Sequence, residues 1–375
     1  MGKRDKKEKS KSKRNQRSVS EEYHNDPLPS SAFDVHNSFD EEVDEEQTEG
    51  EEVDGQSLKF IVDEYSKFHF YQKSVQRPKG DISYATMFFL KYIGTRNPLH
   101  LQEDFCGTAL LSVEWIRKDP RRTAVGLDTD DTALKWCLQN NLTDIGSSSD
   151  CYSRLSLFHG NVLNPHEALL LPADLQPQER IPQEGRFSGA DVVSPLLPTK
   201  MENHNLAPRD IICAFNYSCC CLYTRSNLIM YFKHVLSALS KDGGIFIMDV
   251  YGGPSSEREL RLKTSYSNYT YIWEQEEFDI VNRRTKISIH FQLKYKKTLR
   301  HAFSYDWRLW SLPEIKDCLM EAGFQSVHVW IKEMPNTNGM AVVKDFRTGG
   351  DSKYMECSSF TQIDAWNAYI VGVAK

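Results

Sequence analysis

Between residues 99 and 253 the chain repeats one order: a short apolar run, a turn and a longer amphipathic run. The apolar runs are LHLQEDF, TAVGLD, RLSLFHGNV, DIICAFNYS and GIFIMDVYGG, and helix-like segments such as TALLSVEWIRK and RSNLIMYFKHVLSALSKDGG lie between several of them. Strands that alternate with helices form a parallel sheet with helices on both faces. The sequence therefore predicts an α/β fold with a doubly wound, Rossmann-like sheet.

Two segments interrupt this order. Residues 171–209 are polar and rich in proline, which predicts a long loop between the third and fourth strands. Residues 268–310 instead alternate apolar and polar side chains, which predicts a small antiparallel insert of two or three strands. After the insert, LPEIKDCLMEAGF predicts one more helix, and SVHVWIKE and WNAYIVGVA predict two more strands.

The N-terminal part has a different character. Residues 1–56 join a lysine- and arginine-rich run to an acidic run, and such blocks bury too little apolar surface to fold, so a disordered tail is expected. The basic run suits a nuclear localisation signal, a nucleic-acid arm or a solubilising tail, and these alternatives stay open. Residues 57–375 are expected to form one domain that begins with two helices, the second over Ile82 to Ile93.

Composition narrows the class of protein. The chain has 375 residues and a formal net charge of −6, and no apolar run reaches the length of a membrane span. Its nine cysteines are odd in number and show no CxxC spacing, which favours reduced thiols in a cytoplasmic or nuclear protein. The sequence predicts no metal site and makes no prediction about oligomeric state.

Polar residues stand where the predicted parallel strands end. Glu103 and Asp104 close the first strand, Asp128 the second, Asn161 follows the third and Asn216 the fourth. Because parallel α/β sheets bind ligands beyond the carboxyl ends of their strands, these side chains are candidates for one site. The alternative for the acidic pair is that it caps the following helix, as carboxylates near a helix N-terminus often do.

This arrangement resembles the class I S-adenosylmethionine-dependent methyltransferases over residues 57–375. The motifs that carry the resemblance are EDFCGTALLS, VGLD, HGNV, AFNYS, MDVYGG and YDWRLWSLPE, and together with YQKSVQ they look like a largely uncharacterised bacterial and plant branch of that family. The family's first loop commonly reads E/D-x-G-x-G-x-G. Here Gly107 keeps the middle glycine, whereas Phe105 and Ala109 replace the outer two.

The resemblance implies S-adenosyl-L-methionine as cofactor and assigns roles to the strand ends. Glu103 would contact the amino end of the methionine moiety, and loop amides around Cys106, Gly107 and Thr108 would face its carboxylate. Asp128 would bind the ribose hydroxyls. Asn161 would meet the adenine amine through its carbonyl oxygen.

The loop after the fourth strand is expected to approach the methyl group. Asn216 is expected to orient the nucleophile and to contact the cofactor, with Tyr217 packed near the methyl. Much of the catalysis in such a displacement can be alignment. For Asn216 the alternative is an ordinary asparagine in a turn.

The sequence thus predicts methyl transfer to a nucleophile on a small molecule. A protein or RNA methyltransferase that uses the charged tail as a docking arm stays open. So does a catalytically decayed scaffold that binds the cofactor, because two loop glycines are missing. A nicotinamide-dependent oxidoreductase fits less well, because its glycine-rich turn is poorly matched.

Overall fold

The computed structural model describes residues 67–94, 96–142, 149–172, 199–294, 298–333, 353–361 and 364–374. The predicted tail over residues 1–56 lies outside the described residues, and so does the part of the proline-rich loop between residues 173 and 198. Leu169, just before that loop, and Lys200, within it, form an antiparallel bridge.

The element order follows the predicted alternation. The helices are α1 (residues 67–75), α2 (Pro78–Tyr92), α3 (Leu110–Lys118), α4 (Asp131–Trp136), α5 (Ser149–Arg154), α6 (Arg225–Ala238) and α7 (Leu312–Ala322). The strands of the first sheet are β1 (His100–Asp104), β2 (Thr123–Asp128), β3 (Leu155–His159), β4 (Leu169–Leu170), β5 (Ile211–Ala214), β6 (Ile245–Gly252), β11 (Ser326–Glu333), β12 (Met355–Glu356) and β13 (Trp366–Val373). Those of the second sheet are β7 (Leu260–Ser265), β8 (Tyr269–Gln275), β9 (Arg284–Leu293) and β10 (Thr298–Arg308).

The first sheet confirms the predicted fold class. Its strand order is β12-β11-β13-β6-β5-β1-β2-β3-β4. Five strands pair in parallel, in the spatial order β3, β2, β1, β5 and β6. Numbered among themselves along the chain, these five follow the order 3-2-1-4-5 of a doubly wound fold. Strand β13 then enters antiparallel to β6. Seven strands have at least four residues, as predicted, and the two-residue strands β4 and β12 extend the edges. The order reverses between β1 and β5, which is where such sheets bind ligands.

Helices cover both faces of this sheet. One apolar core joins α6 and α7 to the strands through residues such as Phe232, Phe246 and Leu319. A second core lies on the other face and joins α2 and α3 to the same sheet through residues such as Phe88 and Trp115. The strand interiors contribute to both cores in alternation, because successive side chains of a strand point to opposite faces.

The antiparallel insert is larger than predicted. It forms a separate four-stranded sheet with the order β10-β9-β8-β7, so a strand that begins at Leu260 precedes the predicted start at residue 268. The sequence LRLKTS alternates over only six residues, which is too short to stand out from a loop by pattern alone. Buried rings of this sheet, such as Trp273 and Trp307, belong to the same core as β6 and α6.

Helix α2 begins earlier than predicted. Pro78, expected to end the first helix, occupies the first turn of α2. Proline suits that position, because the first amides of a helix have no intrahelical acceptor and the fixed φ of proline matches a helix. Asp81 thereby becomes a first-turn residue of α2, and it is buried.

Candidate functional site

The loop after β1 has an unusual backbone. Phe105, Gly107 and Ala109 have φ values of 55°, 51° and 48°, so every second residue is left-handed. Left-handed conformations favour glycine and cost other residues roughly 1–2 kcal/mol. Phe105 and Ala109 therefore keep the conformation that glycines would adopt at these two positions, even though the glycines themselves are absent.

Gly107 lies at the open side of this loop. A β-carbon built on it would have nothing within 4 Å, so its α-carbon faces open space that a ligand could occupy. Its amide donates to Asp128 Oδ2 at 2.6 Å, and the amide of Asp130 donates to Asp128 Oδ1 at 2.8 Å. The Gly107 amide is therefore bound within the protein, and the expectation that the loop amides face a ligand carboxylate stays a prediction.

Glu103 is buried at the end of β1. Its Oε2 accepts hydrogen bonds from the amide and the hydroxyl of Ser112, at 3.0 and 2.6 Å. Ser112 stands in the first turn of α3, so the contact is the helix-capping interaction that the sequence left open for the acidic pair. Burial raises the pKa of Glu103 to about 8, and the hydrogen bonds from Ser112 oppose that rise.

Asp104 points to the other face of the sheet, as strand alternation requires. It accepts hydrogen bonds from Gln102 Nε2 at 2.8 Å and from the hydroxyl of Tyr231 at 2.9 Å. Burial raises the pKa of Asp104 to about 6. The two acidic neighbours at the end of β1 thus have different surroundings: Glu103 binds the start of α3, and Asp104 binds Gln102 and Tyr231.

The remaining loop residues differ in what they present. The thiol of Cys106 is buried in the core near the backbone of Gly126, so a contact of this residue with a ligand would use its backbone. The hydroxyl of Thr108 is also buried and accepts a hydrogen bond from Gln72 Nε2 at 2.7 Å. Gln72 additionally donates to Asn141 Oδ1 at 3.2 Å, so α1 is fastened to this loop.

Asn161 lies at the exposed end of the row of strand ends. Its Oδ1 accepts a hydrogen bond from the amide of Leu163 at 2.9 Å, which leaves one lone pair of that oxygen for another donor. The amide of Gly160 donates to the carbonyl oxygen of Asp128 at 2.8 Å, which holds the ends of β2 and β3 together. Asn161 therefore shares an edge of the sheet with Asp128.

The turn after β5 is held by a carboxylate that the sequence did not assign to the site. Asn216 and Tyr217 both have left-handed backbones, with φ values of 59° and 60°. Their amides donate to the two carboxylate oxygens of Asp249, at 3.0 and 2.8 Å. Strain of this kind persists where surrounding contacts enforce it, and it is common at functional sites.

The two side chains of this turn have different environments. Tyr217 is buried, and its hydroxyl donates to Asn367 Oδ1 at 3.0 Å. Asn216 Oδ1 is buried and has no hydrogen-bond partner in the described part of the chain. A buried polar atom without a partner costs free energy, and a ligand that donates a hydrogen bond would remove that cost.

Acidic groups dominate the cleft. Burial and, to a smaller extent, the charge of Asp81 at the start of α2 raise the pKa of Asp249 to about 8, and the same two causes act on Glu103. Glu103 is also close enough to Asp128 to be affected by its charge. In the described residues, Glu103, Asp128 and Asp249 form no ion pair. The strand ends therefore bring together three carboxyl groups without a described cationic partner.

Two of these acids, Asp249 and Asp81, were not predicted from the sequence to belong to the site, for different reasons. Asp249 is the single charge in the apolar strand IFIMDVYG, which is a usable signal of a special role. Asp81 lies just before the predicted start of the second helix, and nothing in its local sequence indicates that it is buried beside other carboxylates.

A cavity of about 1240 Å³ lies away from these residues. It is lined by β6, the start of α7 and β11, with Trp310 and His328 among its walls, and it contains none of the predicted site residues. Tyr251 is part of its lining and also contacts the Tyr217 ring, with centroids 4.7 Å apart.

No described helix has the length and apolar character to cross a bilayer. No group of three or more histidine, cysteine or acidic residues in the described ranges has the geometry of a metal site.

Comparison with known proteins gives only a structural likeness. The chain matches no protein-family model and no curated protein. An S-adenosylmethionine-dependent methyltransferase from Clostridium acetobutylicum ATCC 824 superposes with a TM-score of 0.48 at 15% identity, over 83% of this chain and 99% of the other. The sugar N-methyltransferase KedS8 from Streptoalloteichus sp ATCC 53650 gives 0.46 at 9% identity, over 90% and 100%. Streptomyces venezuelae DesVI gives 0.46 at 12% identity, over 87% and 100%. Likeness at this level fixes neither an activity nor a substrate for this chain.

Proposed function

We propose that this chain is an S-adenosylmethionine-dependent methyltransferase that acts on a small molecule. The observation that carries the proposal is the contact between Glu103 and Ser112. Dinucleotide-binding folds hold a pyrophosphate at the N-terminus of the helix after β1. Here a carboxyl group of the protein, Glu103, accepts a hydrogen bond from an amide of that helix, and Asp128 and Asp249 add further carboxyl groups at the strand ends, which favours a cationic nucleoside over a dinucleotide.

The residues present fit such a cofactor. Glu103 and Asp81 would attract its ammonium group, Asp128 would accept hydrogen bonds from its ribose, and Asn161 would meet its adenine. The open space beside Gly107 leaves room for its chain. When bound, the cofactor supplies a methyl group already activated by a positively charged sulfur.

The protein's own part in the reaction is alignment. The strained turn at Asn216 and Tyr217 is held by both oxygens of Asp249, so its position is well defined. The Oδ1 of Asn216 would accept a hydrogen bond from the nucleophile and orient its lone pair. Helix α1 and the antiparallel sheet cover the strand ends, which supports a small acceptor over a macromolecule.

The left-handed backbone at Phe105 and Ala109 supports an active cofactor loop over a decayed one. A loop released from selection for ligand binding would have no reason to keep two strained residues in the conformation that glycine prefers.

Calorimetric titration of the full chain with S-adenosylmethionine, S-adenosylhomocysteine and NAD tests the proposal. We expect the first two to bind and NAD not to bind. Asp128→Asn should weaken binding of S-adenosylhomocysteine by about 10- to 100-fold, because a hydrogen bond to a charged group contributes about 1.5–3 kcal/mol.

Asp131→Asn is the matched control. It makes the same substitution three residues further along the chain, where the carboxylate forms an exposed ion pair with Lys135. Equal affinity of the Asp128 and Asp131 variants would contradict the ribose assignment. Preferential binding of NAD would contradict the proposed function itself.

A further inference from the structure

Strand β10 contains a bulge opposite a single histidine of β9. The register between the two strands shifts after Leu299 and resumes at Phe303. As a result, residues 300–302 lie opposite His290 alone. The extra residues of a bulge leave the hydrogen-bond ladder, and their backbone groups need other partners. This bulge therefore needs an acceptor that the backbone of β9 does not supply.

The side chain of His290 supplies that acceptor. The amide of His301, in the middle of the bulge, donates to His290 Nδ1 at 2.8 Å. His301 has a left-handed backbone with a φ of 50°, and its own ring Nδ1 lies 3.1 Å from the hydroxyl of Ser288. A residue strained in this way keeps its conformation only where surrounding contacts enforce it. The hydrogen bond to His290 is one of those contacts.

This hydrogen bond fixes the protonation state of His290. A backbone amide can only donate, so Nδ1 must keep its lone pair, and the neutral ring carries its proton on Nε2. An imidazolium would place a hydrogen on Nδ1, directly opposite the hydrogen of the His301 amide. Binding of a proton by His290 and the closed form of the bulge are therefore incompatible.

The surroundings of His290 also favour the neutral ring. Its side chain is 5% exposed, and Nε2 is buried without a hydrogen-bond partner among the described residues. Glu274 on β8 places Oε2 3.6 Å from Nε2, but it also pairs with Arg261 on β7 at 3.4 Å. Burial, together with smaller effects of His301, Arg261 and Arg300, lowers the pKa of His290 against the attraction of Glu274.

The bulge positions a side chain that supports α1. Phe303 follows the bulge directly, and its ring packs against Phe68 and Tyr71 of α1 with centroids 5.9 and 4.8 Å apart. Gln72 on the same helix donates to Thr108 in the loop after β1 at 2.7 Å. A contiguous path of contacts thus leads from the bulge through α1 to that loop.

We propose that His290 makes the cofactor site sensitive to pH: a proton on His290 disrupts the bulge of β10, loosens the packing of Phe303 on α1 and weakens cofactor binding. This inference rests on the proposed function for the identity of the cofactor. The disruption of the bulge is a property of the antiparallel sheet and can be measured without a ligand.

The direction of the effect follows from the lowered pKa. Folded protein binds a proton at His290 less readily than the unfolded chain, in which histidine titrates near pH 6.5. The stability contributed by the neutral ring is full above about pH 6.5 and is lost as the pH falls through the pKa of the folded state. Because the raised pKa of Glu103 has the opposite effect on stability, variants are compared at the same pH.

The test compares the unmodified full chain with His290→Asn. The Oδ1 of asparagine can take the place of Nδ1 as acceptor for the His301 amide, but it does not titrate. Both proteins are titrated with S-adenosylhomocysteine in a calorimeter at pH 7.5 and at pH 5.5. The loss of affinity between these two values should be at least 3-fold greater for the unmodified chain. An equal pH dependence of the two proteins would overturn the proposal.

His301→Asn is the matched control. It removes the other ring of the pair but keeps the backbone amide that binds His290, and asparagine tolerates a left-handed backbone. This variant should retain the pH dependence of the unmodified chain. A pH dependence that disappears in His301→Asn and persists in His290→Asn would assign the effect to His301 and contradict the proposal.

Two readouts without a ligand keep this proposal separate from the proposed function. Nitrogen chemical shifts of the His290 ring in the unmodified chain should show Nε2 protonated and Nδ1 unprotonated at pH 7.5, and the opposite tautomer would overturn the proposal even if His290→Asn does not fold. Hydrogen exchange of the His301 amide, corrected for its intrinsic pH dependence, should lose protection between pH 7.5 and 5.5. Constant protection would likewise overturn it, whereas a failure of S-adenosylhomocysteine to bind at either pH would overturn the proposed function and leave these two results to decide on the bulge.

Discussion

At the scale of single residues, the site concentrates backbone strain and buried charge. Phe105 and Ala109 are left-handed in one loop, and Asn216 and Tyr217 are left-handed in another. Each loop is fastened to a carboxylate, the first to Asp128 through Gly107 and the second to Asp249. A strained turn tied to an ionisable group holds a defined shape, which is what a site that works by alignment requires.

Gly107 provides a first residue-scale prediction. Gly107→Ala should lower the free energy of unfolding by roughly 1–2 kcal/mol, because alanine at φ 51° is strained, and should also impair S-adenosylmethionine binding by placing a methyl group in the open space of the cleft. Gly94→Ala is the control: Gly94 has φ 70° at the end of α2, so it should lose similar stability without losing affinity. Urea unfolding and calorimetry measure the two effects. Equal losses of affinity in Gly107→Ala and Gly94→Ala would show that the methyl group added at Gly107 does not obstruct S-adenosylmethionine binding.

Glu103 provides a prediction about pH. Its pKa is raised to about 8 in the folded protein, so the folded state holds a proton that the unfolded chain releases near pH 4.3. The stability contributed by this group is full below that pH and is lost as the pH rises through about 8. We expect the melting temperature of the ligand-free protein to decrease as the pH rises from 5 to 9. The melting temperature of Glu103→Gln should decrease less steeply over the same range.

The matched control for this pH series is Glu321→Gln. The ion pair with Arg225 lowers the pKa of Glu321, so that group is already ionised in both states above pH 5. Its replacement should leave the slope unchanged. A Glu103→Gln slope equal to that of the unmodified protein would show that Glu103 is ionised in the folded state.

At the scale of elements, α1 joins the two halves of the site. Gln72 binds the loop after β1 through Thr108, and Phe70 packs against Tyr269 and Phe291 of the antiparallel sheet with ring centroids 4.6 and 5.4 Å apart. The helix thus links the loop after β1 to the antiparallel sheet. A short helix gains most of its stability from such packing, since its own hydrogen bonds contribute little.

Gln72 tests this role of α1. Gln72→Ala removes hydrogen bonds to Thr108 Oγ1 and Asn141 Oδ1, which should cost about 1–2 kcal/mol of stability and weaken S-adenosylhomocysteine binding. Lys73→Ala changes the exposed neighbour on the same helix and should have little effect on either. Urea unfolding and calorimetry report both quantities. An unaltered affinity in Gln72→Ala would mean that the loop holds its shape without α1.

At the scale of the whole molecule, the two sheets share one core. Trp273 and Trp307 of the antiparallel sheet belong to the same cluster as Phe246 of β6 and Phe232 of α6. Their rings meet Tyr251 at the end of β6, with centroids 6.0 and 6.1 Å away. Continuous apolar packing of this kind makes the insert part of the main domain.

Trp273→Ala should therefore destabilise the whole domain. The side chain is fully buried, so its truncation should cost about 3–5 kcal/mol, and urea unfolding should still show one transition. Tyr223→Ala removes a ring that is 40% exposed and should cost less than about 1 kcal/mol. Two separate transitions in the Trp273 variant would show that the sheets unfold independently.

The sequence by itself determined the sheet and the row of polar strand ends. Alternating strands and helices leave few topologies open, and strand alternation placed Glu103 and Asp104 on opposite faces. These are properties of short segments, in which each residue's neighbours in the chain are also its neighbours in space. The short strand β7 escaped prediction because six residues of alternation resemble a loop.

Only the tertiary structure decided which groups face one another across the cleft. Asp249 binds a turn 32 residues earlier in the chain, and Gln72 of α1 reaches Thr108. Burial and charge then depend on what the fold packs around each group: the carboxylate of Asp131 is 43% exposed, whereas that of Glu103 is buried. Desolvation and Coulomb interactions act between groups that folding brings together, so the grouping of Glu103 and Asp249 around Asp81 has no local signature in the chain.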